Sequence, residues 1–293
     1  MNVLVTGGTG FLGNHVAMHM AEQGNDVTVF DLSEPRDPDL RWVSGNLVDP
    51  DACRRAMYGQ DVVCHLGAVG DVYLAGEDPA LAAKVNVVGT ATLAEAARTQ
   101  GARKFVYAST WEVYGEPQYQ PLDEKHRCEP DHPYNITKLA GEHIVRAYAH
   151  LRSMPSVCLR LGTAFGTGMR PNSVFSIFVD RAASGQPLKI QGGGAQIRQF
   201  THARDIARGF ELAALSSHEN AFMNLVAEEQ TTIRQLAEAV VRRLPTELEI
   251  ADARAGDVPS ATVTSALALD LIGWKAERTL EQGLDEIIAE RVR

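Results

Sequence analysis

The chain has 293 residues, of which 45% are hydrophobic, so it can bury the core of one large domain or of two small ones. Its formal net charge of -9 argues against nucleic-acid or anionic-membrane partners, because both require a positive surface field, and no apolar run approaches the roughly 20 residues of a membrane helix. Four widely spaced cysteines predict neither a disulfide framework nor a zinc site, and we expect a cytoplasmic protein with reduced thiols and no metal.

Short apolar runs alternate with amphipathic stretches through the first half of the chain, a pattern typical of parallel strands joined by crossover helices. The first helix is indicated by Leu12, Val16 and Met20, which share one face. A longer helix opens at Asp78 and ends near Gly101. The apolar runs predict strands at 2–6, 26–30, 41–44, 61–66, 104–109 and 156–161. We therefore predict an α/β fold with a Rossmann-type, doubly wound parallel sheet.

After residue 166 the pattern becomes less regular. Helices are predicted near 174–183, 205–215 and 232–243, with a short strand at 188–191. We predict an NAD-binding Rossmann domain over 1–166, to which segments around 195–225 return. A smaller α/β region over 167–293 is expected to serve mainly for substrate binding.

A glycine-rich loop follows the first predicted strand and opens the first helix, with the sequence Thr-Gly-Gly-Thr-Gly-Phe-Leu-Gly. Gly7 permits the tight turn, Gly10 lets the backbone approach a pyrophosphate, and Gly13 allows close helix-to-strand packing. Asp31 ends the second strand about 20 residues on, where a carboxylate accepts hydrogen bonds from the adenosine ribose. This pattern predicts NAD rather than NADP, although Arg36 nearby leaves NADP as the alternative.

Tyr134 and Lys138 lie one turn apart on one face of a predicted helix. An ammonium close to a phenol favours the phenolate, which predicts a lowered pKa for Tyr134 and a base for a substrate hydroxyl. The strand that ends in Thr110 supplies a second hydroxyl. The expected first step is removal of a hydroxyl proton by Tyr134 while hydride leaves the same carbon for the nicotinamide.

Together, the glycine loop, the Y-x-x-x-K pair and several further segments resemble the extended short-chain dehydrogenase/reductase family, which contains nucleotide-sugar epimerases, dehydratases and decarboxylases. The resemblance covers essentially the whole chain and includes Thr-Trp-Glu-Val-Tyr-Gly at 110–115, similar to the family's Ser/Thr-x-x-V-Y-G. It implies that Thr110 binds the reacting oxygen, that Tyr134 is the acid/base, and that Lys138 binds the nicotinamide ribose. The further NAD contacts that it implies are Phe11, Leu12, Asn46, Leu47, Leu66, Gly67, Ala68, Asn86 and Leu161.

The same resemblance implies a nucleotide-diphosphate sugar as substrate, whose phosphates an acidic protein must meet with local guanidinium groups. Arg198 stands in a segment similar to the family's G-D-G-x-x-x-R-D-F, and Arg254 with Asp257 stands in one similar to R-x-G-D. The sequence also departs from the pattern. Thr163 replaces the usual asparagine after the sixth strand, where it is expected near the diphosphate, and Gln199 replaces the usual aspartate after the arginine.

Trp111 and Glu112 bear on which reaction follows the first oxidation. Trp111 cannot donate the proton that glucose-type 4,6-dehydration needs, and it is expected either to line the sugar pocket or to pack structurally. Glu112 is either a second acid/base or a structural carboxylate. We expect a C4-type epimerase that returns the hydride, with a decarboxylase or dehydratase as the alternative. A net alcohol dehydrogenase of a non-sugar substrate and a non-enzymatic relative are the rival classes, and the resemblance implies a homodimer.

Overall fold

The computed structural model describes residues 1–252 and 261–292. Its strands are, in chain order, β1 (Asn2–Thr6), β2 (Asp26–Asp31), β3 (Arg41–Ser44), β4 (Val62–His65), β5 (Lys104–Thr110), β6 (Ser156–Leu161), β7 (Thr163–Phe165), β8 (Leu188–Gln191), β9 (Ile197–Arg198), β10 (Phe200–His202), β11 (Ala221–Leu225), β12 (Thr231–Thr232) and β13 (Leu248–Ala251). Its α-helices are α1 (Phe11–Glu22), α2 (Pro50–Met57), α3 (Val72–Glu77), α4 (Pro79–Ala83), α5 (Thr90–Thr99), α6 (Pro133–Arg152), α7 (Val174–Ala183), α8 (Ala203–Leu215), α9 (Ile233–Arg243), α10 (Ala266–Ile272) and α11 (Leu280–Arg291).

Seven of these strands form one parallel sheet in the order β11-β6-β5-β4-β1-β2-β3. The inner strands are buried along nearly their whole length, as their continuous apolar runs require when both faces of a sheet are covered. The order reverses between β1 and β4, so a crevice opens at the carboxyl ends of these two strands. The predicted doubly wound Rossmann-type sheet is confirmed.

Two apolar layers cover the sheet. On one face Val16 and Met20 of α1 pack with Ile206 and Phe210 of α8. On the other face α2, α5 and α6 contribute a second cluster that includes Met57, Leu93 and Val145. The predicted long helix from 78 to 101 is present as α4, a π-helical segment (Lys84–Gly89) and α5 in succession. Such π-helical turns are frequent at functional sites.

The chain beyond residue 166 contributes to both parts of the molecule. β11 pairs with β6 at the edge of the main sheet, and Trp274 packs under α8, where its Nε1 donates to the carbonyl oxygen of Asp205 at 2.8 Å. A separate apolar cluster joins α7, α9 and α11 to the parallel pair β8 and β13. The boundary between a cofactor domain and a substrate region stays a prediction. Within residues 1–252 and 261–292, no helix is both long and apolar enough to span a membrane.

Candidate active site

The glycine loop joins the end of β1 to the start of α1, at the point where the strand order reverses. Gly7 has a φ of 68°, a left-handed conformation that favours glycine, and a Cβ there would lie 2.7 Å from the backbone of Gly67. A Cβ on Gly13 would overlap the carbonyl oxygen of Gly7. Among the described residues no side chain caps α1, so the amides of Phe11 and Leu12 at its amino end face the crevice as donors for a pyrophosphate.

Asp31 lies beside this loop at the end of β2. Its carboxylate accepts from the backbone N–H of Thr9 at 3.1 Å and of Leu32 at 2.7 Å. The carboxylate is therefore held at the edge of the crevice, where it can accept from ribose hydroxyl groups and where it repels a 2′-phosphate. The loop and Asp31 together fit a bound NAD.

Replacing Asp31 with Ser should weaken selectivity for NAD over NADP. A hydrogen bond to a charged group contributes about 1.5–3 kcal/mol, so the ratio of the two dissociation constants should shift about tenfold to a hundredfold. Calorimetric titration of both cofactors measures this ratio, with Asp39→Ser, an exposed change farther along the same segment, as the matched control. An unchanged ratio in the Asp31 variant would contradict the assignment.

The remaining predicted cofactor residues follow the carboxyl ends of the strands. Leu47 is buried against Gly67 and Gly89, and Asn46 is exposed, with its side chain accepting from the N–H of Val48. Leu66 and Ala68 are half-buried after β4, and Leu161 is buried at the end of β6.

Asn86 lies in the π-helical segment and connects two parts of the site. Its Oδ1 accepts from Val69 N at 2.7 Å, and its Nδ2 donates to Val69 O at 3.2 Å and to Thr137 Oγ1 at 3.0 Å. Asn86 thus ties the loop after β4 to α6. A direct contact between Asn86 and the cofactor stays a prediction.

Thr110 and Tyr134 come from two adjoining elements. Thr110 ends β5, and its Oγ1 accepts from Glu112 N at 3.3 Å, which caps the 3₁₀ turn Trp111–Tyr114. Tyr134 follows Pro133 in the first turn of α6, where its N–H donates to His132 Nδ1 at 3.2 Å. Lys138 lies one turn farther on and is buried, with Nζ 4.7 Å from the centre of the Tyr107 ring.

The pKa of the Tyr134 hydroxyl differs from the sequence-based expectation. Burial, and then the charge of Glu112, raise this pKa well above its ordinary value, and the cation that opposes them is Arg170. The expected lowering of this pKa by Lys138 is therefore wrong. The physical reason is that burial removes the water that would stabilise a phenolate, and the cation that acts on the phenol is Arg170 rather than Lys138.

Lys138 is also affected by burial, which lowers its pKa to about 8, while the charge of Glu142 acts in the opposite direction. Burial, and then the charge of Lys138, lower the pKa of His65 to about 3, so this histidine is neutral at physiological pH. Its two ring nitrogens lie 2.7 Å from Thr6 Oγ1 and 2.9 Å from Thr90 Oγ1. His65 is thus part of the packing beneath the crevice.

Glu112 lies on the same side of the site as Tyr134. Burial raises the pKa of its carboxyl, while the charge of Arg198 and a hydrogen bond from Asn135 lower it. The structure therefore brings together Glu112, Tyr134 and Arg198, which are far apart in sequence. A carboxyl with a raised pKa whose charge acts on a tyrosine predicted to be the acid/base is compatible with a second proton-transfer group.

Three of the residues predicted to contact substrate line one cleft. They are Trp111 from the turn after β5, Thr163 from β7 and Arg198 from β9. Gln199, Val226 and Val263 also line this cleft. Arg254 and Asp257, also predicted to bind substrate, lie outside the described residues.

Gln199 explains one departure from the family pattern. The residue is buried, and its Nε2 donates to the carbonyl oxygens of Ala227 at 2.8 Å and Val263 at 3.0 Å. Its Oε1 accepts from Val263 N at 2.7 Å. An ionised aspartate has no donor for these carbonyls. In this chain the position joins two backbone segments behind the cleft.

Replacing Gln199 with Glu should therefore lower the free energy of unfolding by about 3–5 kcal/mol, because it leaves a buried carboxylate against two carbonyl oxygens. Urea unfolding followed by circular dichroism measures the change. Gln191→Glu, at an exposed position of β8, is the control and should change the unfolding free energy little. Equal stability of the two variants near neutral pH would refute this account.

Two further site residues escaped the sequence analysis. Asn135 lies inside the Tyr134 to Lys138 segment, and its buried Oδ1 has no hydrogen-bond partner among the described residues. Arg170 lies in the loop after β7, and its Nη1 donates to Asp71 Oδ2 at 2.5 Å. Asn135 could have been suspected from its place in the motif. No pattern in the sequence marks Arg170, because its neighbours in the site come from distant segments.

The chain matches the family model described as "NAD dependent epimerase/dehydratase family" over residues 3–225. The UDP-glucose 4-epimerase of Mycolicibacterium smegmatis is 30% identical over 98% of this chain and 97% of that protein. The crystal structure of the Thermotoga maritima UDP-glucose 4-epimerase with UDP-glucose superposes with a TM-score of 0.93 at 28% identity, covering 99% of this chain and 98% of that chain. The structure of MoeE5 with UDP-glucuronic acid and NAD superposes with a TM-score of 0.91 at 28% identity, with the same coverage of 99% and 98%.

Proposed function

The chain belongs to the NAD-dependent epimerase/dehydratase family, and on that premise we propose that it is a nucleotide-sugar 4-epimerase. It is an NAD-dependent enzyme of the extended short-chain dehydrogenase/reductase type. We propose that it oxidises the C4 carbinol of a UDP-linked sugar and reduces the resulting ketone on the opposite face. Free thiols at all four cysteines are compatible with a cytoplasmic location.

One observation carries this proposal: Trp111, Thr163 and Arg198 line one cleft, and the charge of Arg198 acts on Glu112, whose charge in turn acts on Tyr134. Trp111 follows Thr110 directly, and Thr110 caps the turn that carries the indole. The guanidinium of Arg198 matches a phosphate oxygen pair, and the apolar wall matches the face of a sugar or base. A sugar diphosphate fits this combination of an apolar wall, a cation and paired hydroxyl groups.

The residues divide the work as follows. Tyr134 takes the proton from the C4 hydroxyl and returns it to the oxygen after the sugar has turned, while Thr110 keeps the oxygen aligned by a hydrogen bond. Lys138, as an ammonium ion, holds the cofactor ribose, and Arg170 is the cation that favours the tyrosinate. NAD, held by the glycine loop, Asp31 and Lys138, would supply reversible hydride transfer. No net oxidant is consumed, because the hydride goes back to the carbon from which it came.

Glu112 has a distinct place in this scheme. Its carboxyl is close enough to Tyr134 to raise the pKa of the phenol. We propose that it exchanges protons with Tyr134 or with a neighbouring sugar hydroxyl during turnover. Trp111 stands where a proton donor would be needed for 4,6-elimination, so dehydration of the glucose type is disfavoured.

The test is incubation of the purified enzyme with UDP-glucose, UDP-N-acetylglucosamine and UDP-glucuronate, followed by NMR of the products. We expect inversion at C4 with no accumulation of NADH. A dehydrated sugar would contradict the proposal, and so would NADH formed in amounts equal to the substrate. Stoichiometric NADH would instead favour the net alcohol dehydrogenase.

A second candidate is favoured by Arg170. Its charge lowers the pKa of Tyr134 against burial and Glu112, so the guanidinium, which also pairs with Asp71, acts electrostatically on the phenol. A guanidinium pairs best with a carboxylate, which favours a uronate sugar as substrate. The same oxidation at C4 then leads either to the 4-epimer or to loss of the carboxylate as carbon dioxide. Release of carbon dioxide from UDP-glucuronate would identify a decarboxylase, and no turnover of UDP-glucuronate would contradict a uronate substrate.

We also propose a homodimer. The helices next to α6 carry large apolar side chains that are exposed in the single chain, namely Leu74 (44% exposed), Leu81 (38%), Val88 (53%) and, on α6 itself, Ile136 (48%). Because α3, α4 and the π-helical segment each contact α6, these side chains belong to one helical layer. Burying such a layer against a second copy removes apolar surface from water. A monomer in light scattering would contradict the dimer.

A further inference from the structure

A buried ion pair lies directly behind the proposed catalytic residues. Glu142 is one turn beyond Lys138 on α6, and both its carboxylate oxygens accept from Arg160 of β6, Oε1 from Nε at 2.9 Å and Oε2 from Nη2 at 2.8 Å. The side chains of Arg160 and Glu142 are 6% and 2% exposed. Two charges this deeply enclosed cost desolvation energy, and hydrophobic residues of similar volume often replace such pairs with no loss of stability. Stability alone therefore does not account for a buried ion pair at this position.

The pair is joined to both elements that carry proposed catalytic groups. Ser109, the residue before Thr110, donates its hydroxyl to Glu142 Oε1 at 2.6 Å. The guanidinium of Arg160 lies 4.8 Å from the centre of the Tyr114 ring, at the end of the turn that carries Glu112. Tyr114 in turn donates to Asn224 Oδ1 at 2.8 Å. Glu142 thus links α6, the end of β5 and the turn after it.

The spacing of residues along α6 also gives Glu142 an electrostatic role. Tyr134, Lys138 and Glu142 follow one another at intervals of four residues, so they share one face of α6. Lys138 is buried among Tyr107 of β5, Cys158 of β6 and His65 of β4. His65 is neutral, and burial holds the pKa values of Tyr107 and Cys158 above their ordinary values, so these groups are neutral too. Glu142 is the carboxylate on this face of the helix, and Arg160 stands on its far side.

We propose that Glu142 is a positioning residue for the reaction: it fixes the strand end that carries Thr110 against the helix that carries Tyr134, and it keeps the buried Lys138 in its ammonium form. The inference rests on the proposed function for its effect on turnover. The effect on the charge of Lys138 is independent of which substrate the enzyme uses. Burial lowers the pKa of Lys138 to about 8, and the charge of Glu142 opposes a further fall.

The direction of the pH effect expected for Lys138 follows from the charge of its ammonium form. An ammonium group is present below its pKa and is lost as the pH rises through it. Glu142→Gln removes the carboxylate and leaves the positive charge of Arg160 without its partner, so Lys138 should lose its proton at lower pH. An opposite charge at short range changes a pKa by about one to three units, and we expect a fall of about one unit or more.

The experiment titrates Lys138 directly in the full-length holoenzyme. Lysine labelled with ¹³C at Cε is followed by NMR from pH 6 to 11, and the Lys138 signal is assigned by its absence in Lys138→Met. In Glu142→Gln the midpoint should fall by about one unit or more. The double variant Glu142→Gln with Arg160→Met removes both charges, so it avoids an unpaired buried cation, and its midpoint should lie between those of the wild type and the single variant.

Turnover is the second readout. The alkaline limb of the kcat profile should move to lower pH in the same order as the NMR midpoints. Glu142→Asp keeps the charge but shortens the side chain, so it should leave the limb in place while lowering kcat. A Glu142→Gln protein that is merely less stable, with an unchanged Lys138 midpoint, would overturn the proposal, and so would an unchanged midpoint in the double variant. If the wild type proves to have no epimerase activity, the proposed function fails, and the NMR titration still decides the role of Glu142.

Discussion

Tyr134→Phe is expected to lower kcat by about 10²- to 10⁴-fold, the usual contribution of a positioned acid/base group, while leaving NAD bound. The change removes the hydroxyl that exchanges a proton with the sugar carbinol, and it leaves the ring that fills the start of α6. The measurement is steady-state turnover with the sugar nucleotide that the wild type converts, together with the NAD content of the purified variant.

Tyr148→Phe is the matched control, because it removes a phenol from the same helix at a site remote from the crevice. Its turnover should match that of the wild type. Retained activity in Tyr134→Phe would mean that another group, with Glu112 the first to test, moves the proton. Equal losses in both variants would indicate a general effect of phenol removal on α6.

Gly13→Ala is expected to abolish retention of NAD. The added Cβ would overlap the carbonyl oxygen of Gly7 and lie 2.9 Å from the Cα of Gly8, so the loop or α1 must shift. Overpacking of this kind costs about 1–3 kcal/mol and sometimes more, and a loss of about 3 kcal/mol in binding would weaken NAD by about a hundredfold. Calorimetry with NAD and mass spectrometry of the purified protein measure the loss.

Gly70→Ala is the control for this change. Gly70 lies in the loop after β4, and a Cβ there would meet no heavy atom within 4 Å. The control should bind NAD as the wild type does. If Gly13→Ala also binds NAD normally, the close packing between the loop and α1 would not be what shapes the cofactor crevice.

The parallel sheet and the cofactor loop were predictable because their signals are local. A strand buried on both faces needs an unbroken apolar run, and a turn that passes close to another backbone needs glycine, so β1, β2, β4, β5 and β6 and the loop at Gly7 could be read from short windows of sequence. The same holds for the spacing of Tyr134 and Lys138, which any α-helix places on one face. The sequence also indicated the family through its motifs, and the family match over residues 3–225 confirms it.

The properties of the site were less predictable. A charge four residues away suggested a lowered pKa for Tyr134, whereas the structure gives a raised pKa, because burial depends on every segment that closes over the ring. In the sequence, Gln199 was visible only as a departure from the family pattern. Its hydrogen-bond partners, Ala227 and Val263, come from separate parts of the chain. Neither fact is encoded in a window of neighbouring residues.

By itself, the amino-acid sequence determined the sheet, the helix faces, the glycine turn and the order of the hydroxyl-bearing residues, since each depends on local conformation and on periodic burial. The tertiary structure alone decided which distant groups meet. It placed Arg198 where its charge acts on Glu112, Arg170 where its charge acts on Tyr134, and the Glu142 and Arg160 pair behind Lys138. The physical reason is that burial and Coulomb interactions depend on distance in space, and folding brings together charges that the chain separates by tens of residues.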